Sequence, residues 1–240
     1  MKAIADSIIP SPALHRMPQE RHISGIPTVA PGMPPHAGQP LLWAGAPPKE
    51  ARLFGILIHG RGADALDIIG LGEEFDVADV AWTAPEAAGR TWYPFSFLSP
   101  LATNEPGLSS ALSVIEGLVH EADRLGFPAD KIVLGGFSQG ACLAAEYAAR
   151  HPRKYAAILC FSGGVIGPPG APRDHKGTFN GTPVFLGCSD RDPHIPAERV
   201  QETADVFKSK GAIVDMRLYP GMPHTIVRDE LDAVRTLLGQ

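Results

Sequence analysis

Ser138 lies at the centre of a short glycine-rich motif that can carry nucleophilic chemistry. The motif is Gly136-Phe137-Ser138-Gln139-Gly140, and it falls between the apolar run 132–135 and an alanine-rich stretch with helical spacing. A G-x-S-x-G sequence between a strand and a helix is typical of a serine nucleophile on a sharp turn, where glycines let neighbouring backbone pass close by. The alternative is an ordinary strand-to-helix turn with a capping serine, but the phosphate-binding patterns expected of such turns are missing.

A serine hydroxyl is a weak nucleophile, so it needs a general base that is itself oriented by a carboxylate. Asp192 follows the apolar run 183–187, and His224 follows the run 214–219. The order serine, acid, histidine, with each residue after a strand, is the order that this kind of site requires. We therefore predict a catalytic triad of Ser138, Asp192 and His224.

Other residues could compete for two of these roles. Asp190 lies two positions before Asp192 and is an alternative carboxylate; we prefer Asp192 and expect Asp190 to form hydrogen bonds within its turn. His194 follows the acid in the same loop, too close in sequence to serve easily as a base from the next strand. His151, at a predicted helix end, is interpreted as structural, and His175 as a solvent-facing loop residue.

Acyl transfer also needs backbone N–H groups that stabilise the oxyanion, and the sequence offers two. One is the N–H of Gln139, the residue after the nucleophile. The other is expected from the glycine-rich turn after the early strand 53–59, and we predict the Arg61 N–H. His59 in that turn is interpreted as a residue that pins the turn by hydrogen bonds. Metal ligands with zinc-site spacing are not apparent, and we expect neither a metal nor a cofactor.

The segment 91–98 holds four of the 17 aromatic residues of the chain. Trp92, Tyr93 and Phe95 in this segment could wall an apolar substrate pocket beside Ser138. They could equally belong to a loop that covers the core and fills gaps in it. The sequence does not decide between these two interpretations.

The elements that must position these residues follow a β-α rhythm from residue 41 onward. Apolar runs that predict strands alternate with amphipathic stretches that predict helices, which is typical of a largely parallel sheet. Several of the runs are apolar at every position, as expected for strands covered on both faces. The predicted strands cover 41–44, 53–59, 80–83, 131–137, 156–161, 183–187 and 213–219, and the predicted helices cover 64–74, 107–125, 140–150, 197–210 and 228–238. The stretch 163–182 is predicted to be a long loop.

Residues 1–40 differ from the rest because they contain eight of the 24 prolines. We predict a proline-rich N-terminal extension over 1–40, either mobile or packed along the domain, and a catalytic domain over 41–240. A net charge of −5 argues against nucleic acid as a partner, and no apolar run is long enough for a transmembrane segment. Three cysteines in apolar surroundings predict reduced core residues, and a cytoplasmic location is the expectation.

Four motifs together resemble the phospholipase/carboxylesterase family of α/β-hydrolases, the group that includes acyl-protein thioesterases and small bacterial carboxylesterases. They are Leu57-Ile58-His59-Gly60-Arg61-Gly62-Ala63, Gly135-Gly136-Phe137-Ser138-Gln139-Gly140-Ala141, Asp192-Pro193-His194-Ile195-Pro196 and Tyr219-Pro220-Gly221-Met222-Pro223-His224. The resemblance spans roughly residues 40–238. It implies a three-layer αβα sandwich with no cap domain, the same triad, and the same two oxyanion donors.

Two features depart from the family pattern. Arg61 stands where many members have an apolar residue, and it could present a cation to the substrate mouth. The proline-rich extension has no counterpart in the usual family core. The resemblance implies hydrolysis of a small-molecule carboxylic ester, with acyl-thioesterase or lysophospholipase activity as the alternative. A non-catalytic ligand-binding protein of the same fold is the alternative of another class, and the sequence leaves open whether the chain forms a homodimer.

Overall fold

The structure is a computed structural model that describes residues 27–239. Of the predicted proline-rich extension, residues 1–26 lie outside this described part. Within the described part, every predicted strand and helix is present, with ends that differ from the prediction by at most two residues. The rhythm of apolar runs and amphipathic stretches was therefore a reliable guide to the elements.

A seven-stranded sheet forms the centre of the molecule, in the order β1-β3-β2-β4-β5-β6-β7. Strand β1 pairs antiparallel with β3, and all other neighbours pair in parallel. Strands β2, β3 and β5 are buried at every position, which explains why their residues, apart from Thr83 in β3, are apolar. The strands are β1 (Leu41–Gly45), β2 (Leu53–Ile58), β3 (Val80–Pro85), β4 (Ile132–Phe137), β5 (Ala157–Phe161), β6 (Pro183–Ser189) and β7 (Ile213–Tyr219).

Helices cover both faces of this sheet and divide the core into two clusters. The helices are α1 (Ala65–Glu74), α2 (Gly107–Arg124), α3 (Gln139–Arg150), α4 (Ala197–Ser209) and α5 (Arg228–Leu238). Apolar residues of α2, α3 and α4 form the cluster on one face, and those of α1 and α5 form the cluster on the other. The architecture is the predicted three-layer αβα sandwich.

Parallel pairing brings the carboxyl ends of β2, β4, β5, β6 and β7 to one edge of the sheet. The turns after these strands carry Arg61, Ser138, Asp192 and His224. Ligand sites of open α/β sheets lie at this edge. The topology therefore gathers residues that are up to 163 positions apart in the chain.

The described part of the proline-rich segment packs against the sandwich. Val29 forms an antiparallel bridge with Pro40. The side chain of Trp43 donates a hydrogen bond to the carbonyl of Pro27 at 2.8 Å, and Ser113 of α2 accepts one from the N–H of Met33 at 2.8 Å. Residues 27–40 thus follow the packed alternative rather than the mobile one.

Residues 162–182 connect β5 to β6 without any helix, and all of them lie in the described part of the chain. Buried Glu146 of α3 holds this loop, because its carboxylate accepts hydrogen bonds from the Ile166 N–H at 2.8 Å and from Arg173 at 2.9 Å. The loop is therefore irregular but anchored. The absence of a cap domain stays a prediction. Among residues 27–239, no helix is long and apolar enough to cross a bilayer.

Candidate active site

Ser138 occupies a strained turn between β4 and α3. Its backbone angles are φ 55° and ψ −118°, in a region that non-glycine residues rarely adopt. The turn is tight enough that a Cβ on Gly140 would lie 1.9 Å from the Ile58 carbonyl oxygen, and one on Gly136 would lie 2.5 Å from it. The two flanking glycines are therefore required by the close approach of β2, as the motif predicted.

The position of Ser138 favours negative charge at its side chain. Gln139 begins α3 with Ser138 as the N-cap residue, so the N–H groups of the first turn have no partner inside the helix and the positive end of the helix dipole lies at the serine. The serine is fixed from behind, because its own N–H donates to the Phe161 carbonyl at 2.9 Å. This hydrogen bond holds the turn against the carboxyl end of β5.

Asp192 and His224 form a direct pair. The Nδ1 atom of His224 lies 2.6 Å from Oδ2 of Asp192, whose side chain is buried. The other carboxylate oxygen accepts the N–H groups of His194 at 2.8 Å and Ile195 at 3.0 Å. Burial by itself raises the pKa of Asp192, but the hydrogen bonds from His224 and the two amides outweigh it, so this pKa lies below its ordinary value.

The geometry fixes the tautomer of His224. An ionised carboxylate can only accept hydrogen bonds, so Nδ1 of His224 carries the proton that faces Asp192. Nε2 is then the nitrogen that can accept a proton from the cleft side. The imidazole ring also packs against Phe137, the residue before Ser138, with ring centroids 4.8 Å apart.

Asp190, the alternative carboxylate, has a different partner. Its Oδ1 atom accepts the N–H of Gly221 at 2.7 Å, which ties its loop to the loop that carries His224. Cys188 also lies close to Asp192, with its sulfur 3.8 Å from Oδ2, the same oxygen that faces His224. Burial, with the charge of Asp192 adding to it, raises the pKa of this thiol to about 12, so it stays protonated. All three cysteines are buried and free, as predicted.

A cleft of about 500 Å³ brings the predicted site residues together. Ser138, Gln139, Arg61 and His224 all line it. Tyr93 and Phe95 form part of its apolar wall, and Phe95 is 56% exposed. Trp92 does not line the cleft but lies buried behind this wall. Its indole N–H donates to the His59 carbonyl at 3.0 Å. A shallow acidic hollow on α4 lies elsewhere and carries none of these residues.

Arg61 does not hold its cation free for the substrate. Its guanidinium donates to three successive carbonyls, those of Tyr93 at 2.8 Å, Pro94 at 3.0 Å and Phe95 at 2.9 Å. The side chain therefore fastens the aromatic wall to the turn after β2. His59 pins the same turn, because its Nε2 atom accepts the N–H of Ala87 at 3.0 Å and Nδ1 donates to the Gly60 carbonyl. Burial lowers the pKa of His59, consistent with a neutral ring.

Two histidines of the site had no role assigned from the sequence. His194 lines the cleft, and its ring meets the His224 ring edge-on at 4.9 Å. His36 belongs to the proline-rich segment, yet it is buried beside Trp92 with ring centroids 5.1 Å apart. A lone histidine in an irregular segment carries no sequence signal for such a contact.

Most of this chain matches a known protein family. The sequence model described as Phospholipase/Carboxylesterase matches residues 46–240. The chain belongs to the phospholipase/carboxylesterase family. The match covers most of the chain and begins five residues after the predicted start of the catalytic domain. Membership confirms the resemblance and, together with the sheet and its helices, the α/β-hydrolase fold.

Named proteins and solved structures are similar to this chain. A phospholipase/carboxylesterase from Dyadobacter fermentans is 40% identical, with a TM-score of 0.82, over 88% of this chain and 100% of that one. Acyl-protein thioesterase 1 of Saccharomyces cerevisiae is 32% identical over 55% of this chain and 59% of that protein. The chain thus spans less than two thirds of the length of that thioesterase. The carboxylesterase of Bacillus cereus, 19% identical with a TM-score of 0.66 over 83% of this chain and 93% of that one, shares the fold.

Proposed function

We propose that this protein is a serine hydrolase that cleaves carboxylic esters through an acyl-enzyme intermediate. The observation that carries the proposal is the 2.6 Å pair of His224 with buried Asp192, in one cleft with a serine on a strained turn. Family membership supports the same conclusion. The proposed catalytic residues are Ser138 as nucleophile, His224 as general base and Asp192 as the residue that orients the base.

In the first half-reaction, His224 takes the Ser138 proton on Nε2 as the serine oxygen attacks the acyl carbonyl. Asp192 keeps the imidazole in the required tautomer and stabilises the imidazolium. The N–H groups of Gln139 and Arg61 would donate to the oxyanion of the tetrahedral intermediate. Collapse of that intermediate passes the proton to the leaving alcohol and leaves an ester on Ser138.

In the second half-reaction, water replaces the alcohol. His224 takes a proton from the water as the water oxygen attacks the acyl-enzyme. Collapse of the second tetrahedral intermediate breaks the bond to Ser138 and releases the carboxylic acid, while His224 returns its proton to the Ser138 oxygen. The open, partly apolar cleft with Tyr93 and Phe95 in its wall suits small or medium acyl groups. A thioester would follow the same steps with a thiol as leaving group, and the yeast relative named a thioesterase favours this second activity.

A fluorophosphonate probe tests the proposal directly, since it labels serines that are activated for attack. Wild-type protein should be labelled at Ser138 and should hydrolyse p-nitrophenyl esters, whereas Ser138→Ala should do neither. The variant should lose nearly all turnover, because binding and oxyanion contacts alone leave about 10³–10⁴-fold catalysis over water. Its circular dichroism spectrum should match wild type, which controls for folding.

The substrate panel distinguishes the remaining alternatives. Rates for p-nitrophenyl esters of increasing chain length, compared with acyl-thioesters of the same chains, separate an esterase from a thioesterase. Wild-type protein that binds such esters without turnover or probe labelling would contradict the proposal and favour a ligand-binding protein. Full esterase activity in pure Ser138→Ala would show that another residue is the nucleophile.

A further inference from the structure

Trp92 makes three hydrogen bonds to different parts of the chain, two through its backbone and one through its indole. Its N–H donates to Oε1 of Gln139 at 2.9 Å, and its indole N–H donates to the His59 carbonyl at 3.0 Å. Its carbonyl accepts a hydrogen bond from Nε2 of His36 at 2.8 Å. Trp92 is 1% exposed, so water cannot replace a partner that is removed.

Both ring nitrogens and the backbone N–H of His36 make hydrogen bonds. Its Nδ1 atom accepts the N–H of Ala88 at 3.1 Å, so a neutral ring must carry its proton on Nε2, where it faces the Trp92 carbonyl. Its backbone N–H donates to the Ser110 hydroxyl at 3.1 Å, and that hydroxyl donates to the Met33 carbonyl. The proline-rich segment is thereby joined both to α2 and to the turn before the aromatic wall.

The contacts continue from Trp92 to the candidate oxyanion donors. The side chain of Gln139 accepts from Trp92 and donates from Nε2 to the Tyr93 carbonyl at 2.9 Å. The guanidinium of Arg61 donates to the same Tyr93 carbonyl at 2.8 Å. Segment 92–93 is therefore the common support of the two residues whose backbone N–H groups are proposed to bind the oxyanion.

We propose that His36 is a positioning residue of the hydrolase site: it fixes the Trp92 carbonyl and, through segment 92–93, the alignment of Gln139 and Arg61. The inference rests on the proposed function, because its test measures ester hydrolysis. His36 lies ten residues before the family match begins at residue 46, so it falls outside the part of the chain that matches the family model. It also gives part of the proline-rich segment a role in catalysis.

Two substitutions separate the two hydrogen bonds of the His36 ring. In His36→Gln, the amide can place a donor where Nε2 stood, which keeps the Trp92 contact but loses the Ala88 one. In His36→Asn, the amide oxygen can replace Nδ1 as acceptor for Ala88, but nothing reaches the Trp92 carbonyl. A positioning role predicts that Gln preserves activity and Asn does not, although both disturb the same buried pocket.

The readout is kcat per active site, with sites counted by stoichiometric reaction with a fluorophosphonate. We expect His36→Asn to lower kcat and kcat/KM together by about tenfold with little change in KM, because a displaced oxyanion donor acts only on the transition state. His36→Gln should stay within about twofold of wild type. Val119→Ala is the control, since it truncates a buried α2 residue outside this network; it should lower the melting temperature without changing kcat per site.

The result that would overturn the inference is wild-type kcat per site in His36→Asn, or an equal loss in the Gln and Asn variants. If His36→Asn does not fold, Ser110→Ala carries the test, because it removes the acceptor of the His36 N–H. It should lower kcat per site by about two- to fivefold, and an unchanged kcat would again overturn the inference. Ser138→Ala keeps the two proposals apart: retained activity in that variant contradicts the hydrolase mechanism itself, whereas the His36 and Ser110 variants test only the positioning role.

Discussion

Replacing Asp192 with asparagine should lower kcat by about 10⁴-fold while leaving the fold intact. The carboxylate of Asp192 faces two sets of donors, with His224 on Oδ2 and the amides of His194 and Ile195 on Oδ1. Asparagine has one oxygen and one NH₂ group, so it can satisfy only one of these sets as an acceptor. The direction in which the amide settles decides the effect on catalysis.

The two backbone amides, at 2.8 Å and 3.0 Å, fix that direction. An NH₂ group turned toward them would set donor against donor in a buried place, whereas the amide oxygen satisfies both. The NH₂ group of the substituted side chain then faces Nδ1 of His224, which must become an acceptor and carry its proton on Nε2. A histidine in that tautomer cannot take the Ser138 proton. The loss of about 10⁴-fold known for the wrong tautomer corresponds to about 5.5 kcal/mol of barrier.

The assay is kcat for a p-nitrophenyl ester, measured on samples whose melting temperatures are matched to wild type. Asp190→Asn is the control, because this carboxylate has the same chemistry and lies two residues away, but caps the Gly221 N–H at 2.7 Å. Its amide oxygen can keep that contact, so kcat should change by less than about threefold. Asp192→Asn with more than a tenth of wild-type activity, or an equal collapse in Asp190→Asn, would refute the assignment of the acid.

Two further predictions concern stability. Burial raises the pKa of Glu230 from 4.5 to about 8, so the free energy of unfolding of wild-type protein should fall as pH rises from about 4.5 to 8, by about 3–5 kcal/mol at most. Glu230→Gln should lack this fall. Urea unfolding at several pH values tests the prediction, and parallel pH curves for the two proteins would contradict it. Gly140→Ala should prevent folding or lower the melting temperature by more than about 10 °C, because its Cβ would lie 1.9 Å from the Ile58 carbonyl oxygen. Gly70→Ala in α1 is the control, since the space around its Cβ is open, and it should be neutral or stabilising. Equal melting temperatures for the two variants would refute the steric argument.

The sequence alone was sufficient for the order of elements and for the residues proposed to react. Strands buried on both faces must be apolar throughout, so runs such as 157–161 were legible without any tertiary information. The two glycines that flank Ser138 were recognisable from the motif, because β2 passes so close that neither position has room for a Cβ. The pairing of Asp192 with His224 was predictable because parallel strands bring their carboxyl ends to one edge.

Other features depended on contacts between segments that no local pattern connects. The Arg61 guanidinium turns to the carbonyls of residues 93–95, although its sequence position allowed a cation at the substrate mouth. Trp92 supports the wall from behind, whereas Tyr93 and Phe95 line the cleft. Alternation along an irregular loop does not reveal which ring faces inward.

His36 shows most clearly what only the folded chain decides. Its segment has no periodicity, and prolines make its backbone course independent of helix or strand rules. Its partners, Trp92 and Ala88, are 56 and 52 positions away. Residue types and spacing encode local backbone and burial, and they therefore determined the layers of this protein and the residues that we propose to react. The support behind those residues comes from hydrogen bonds across long sequence separations, whose geometry exists only once the layers have packed.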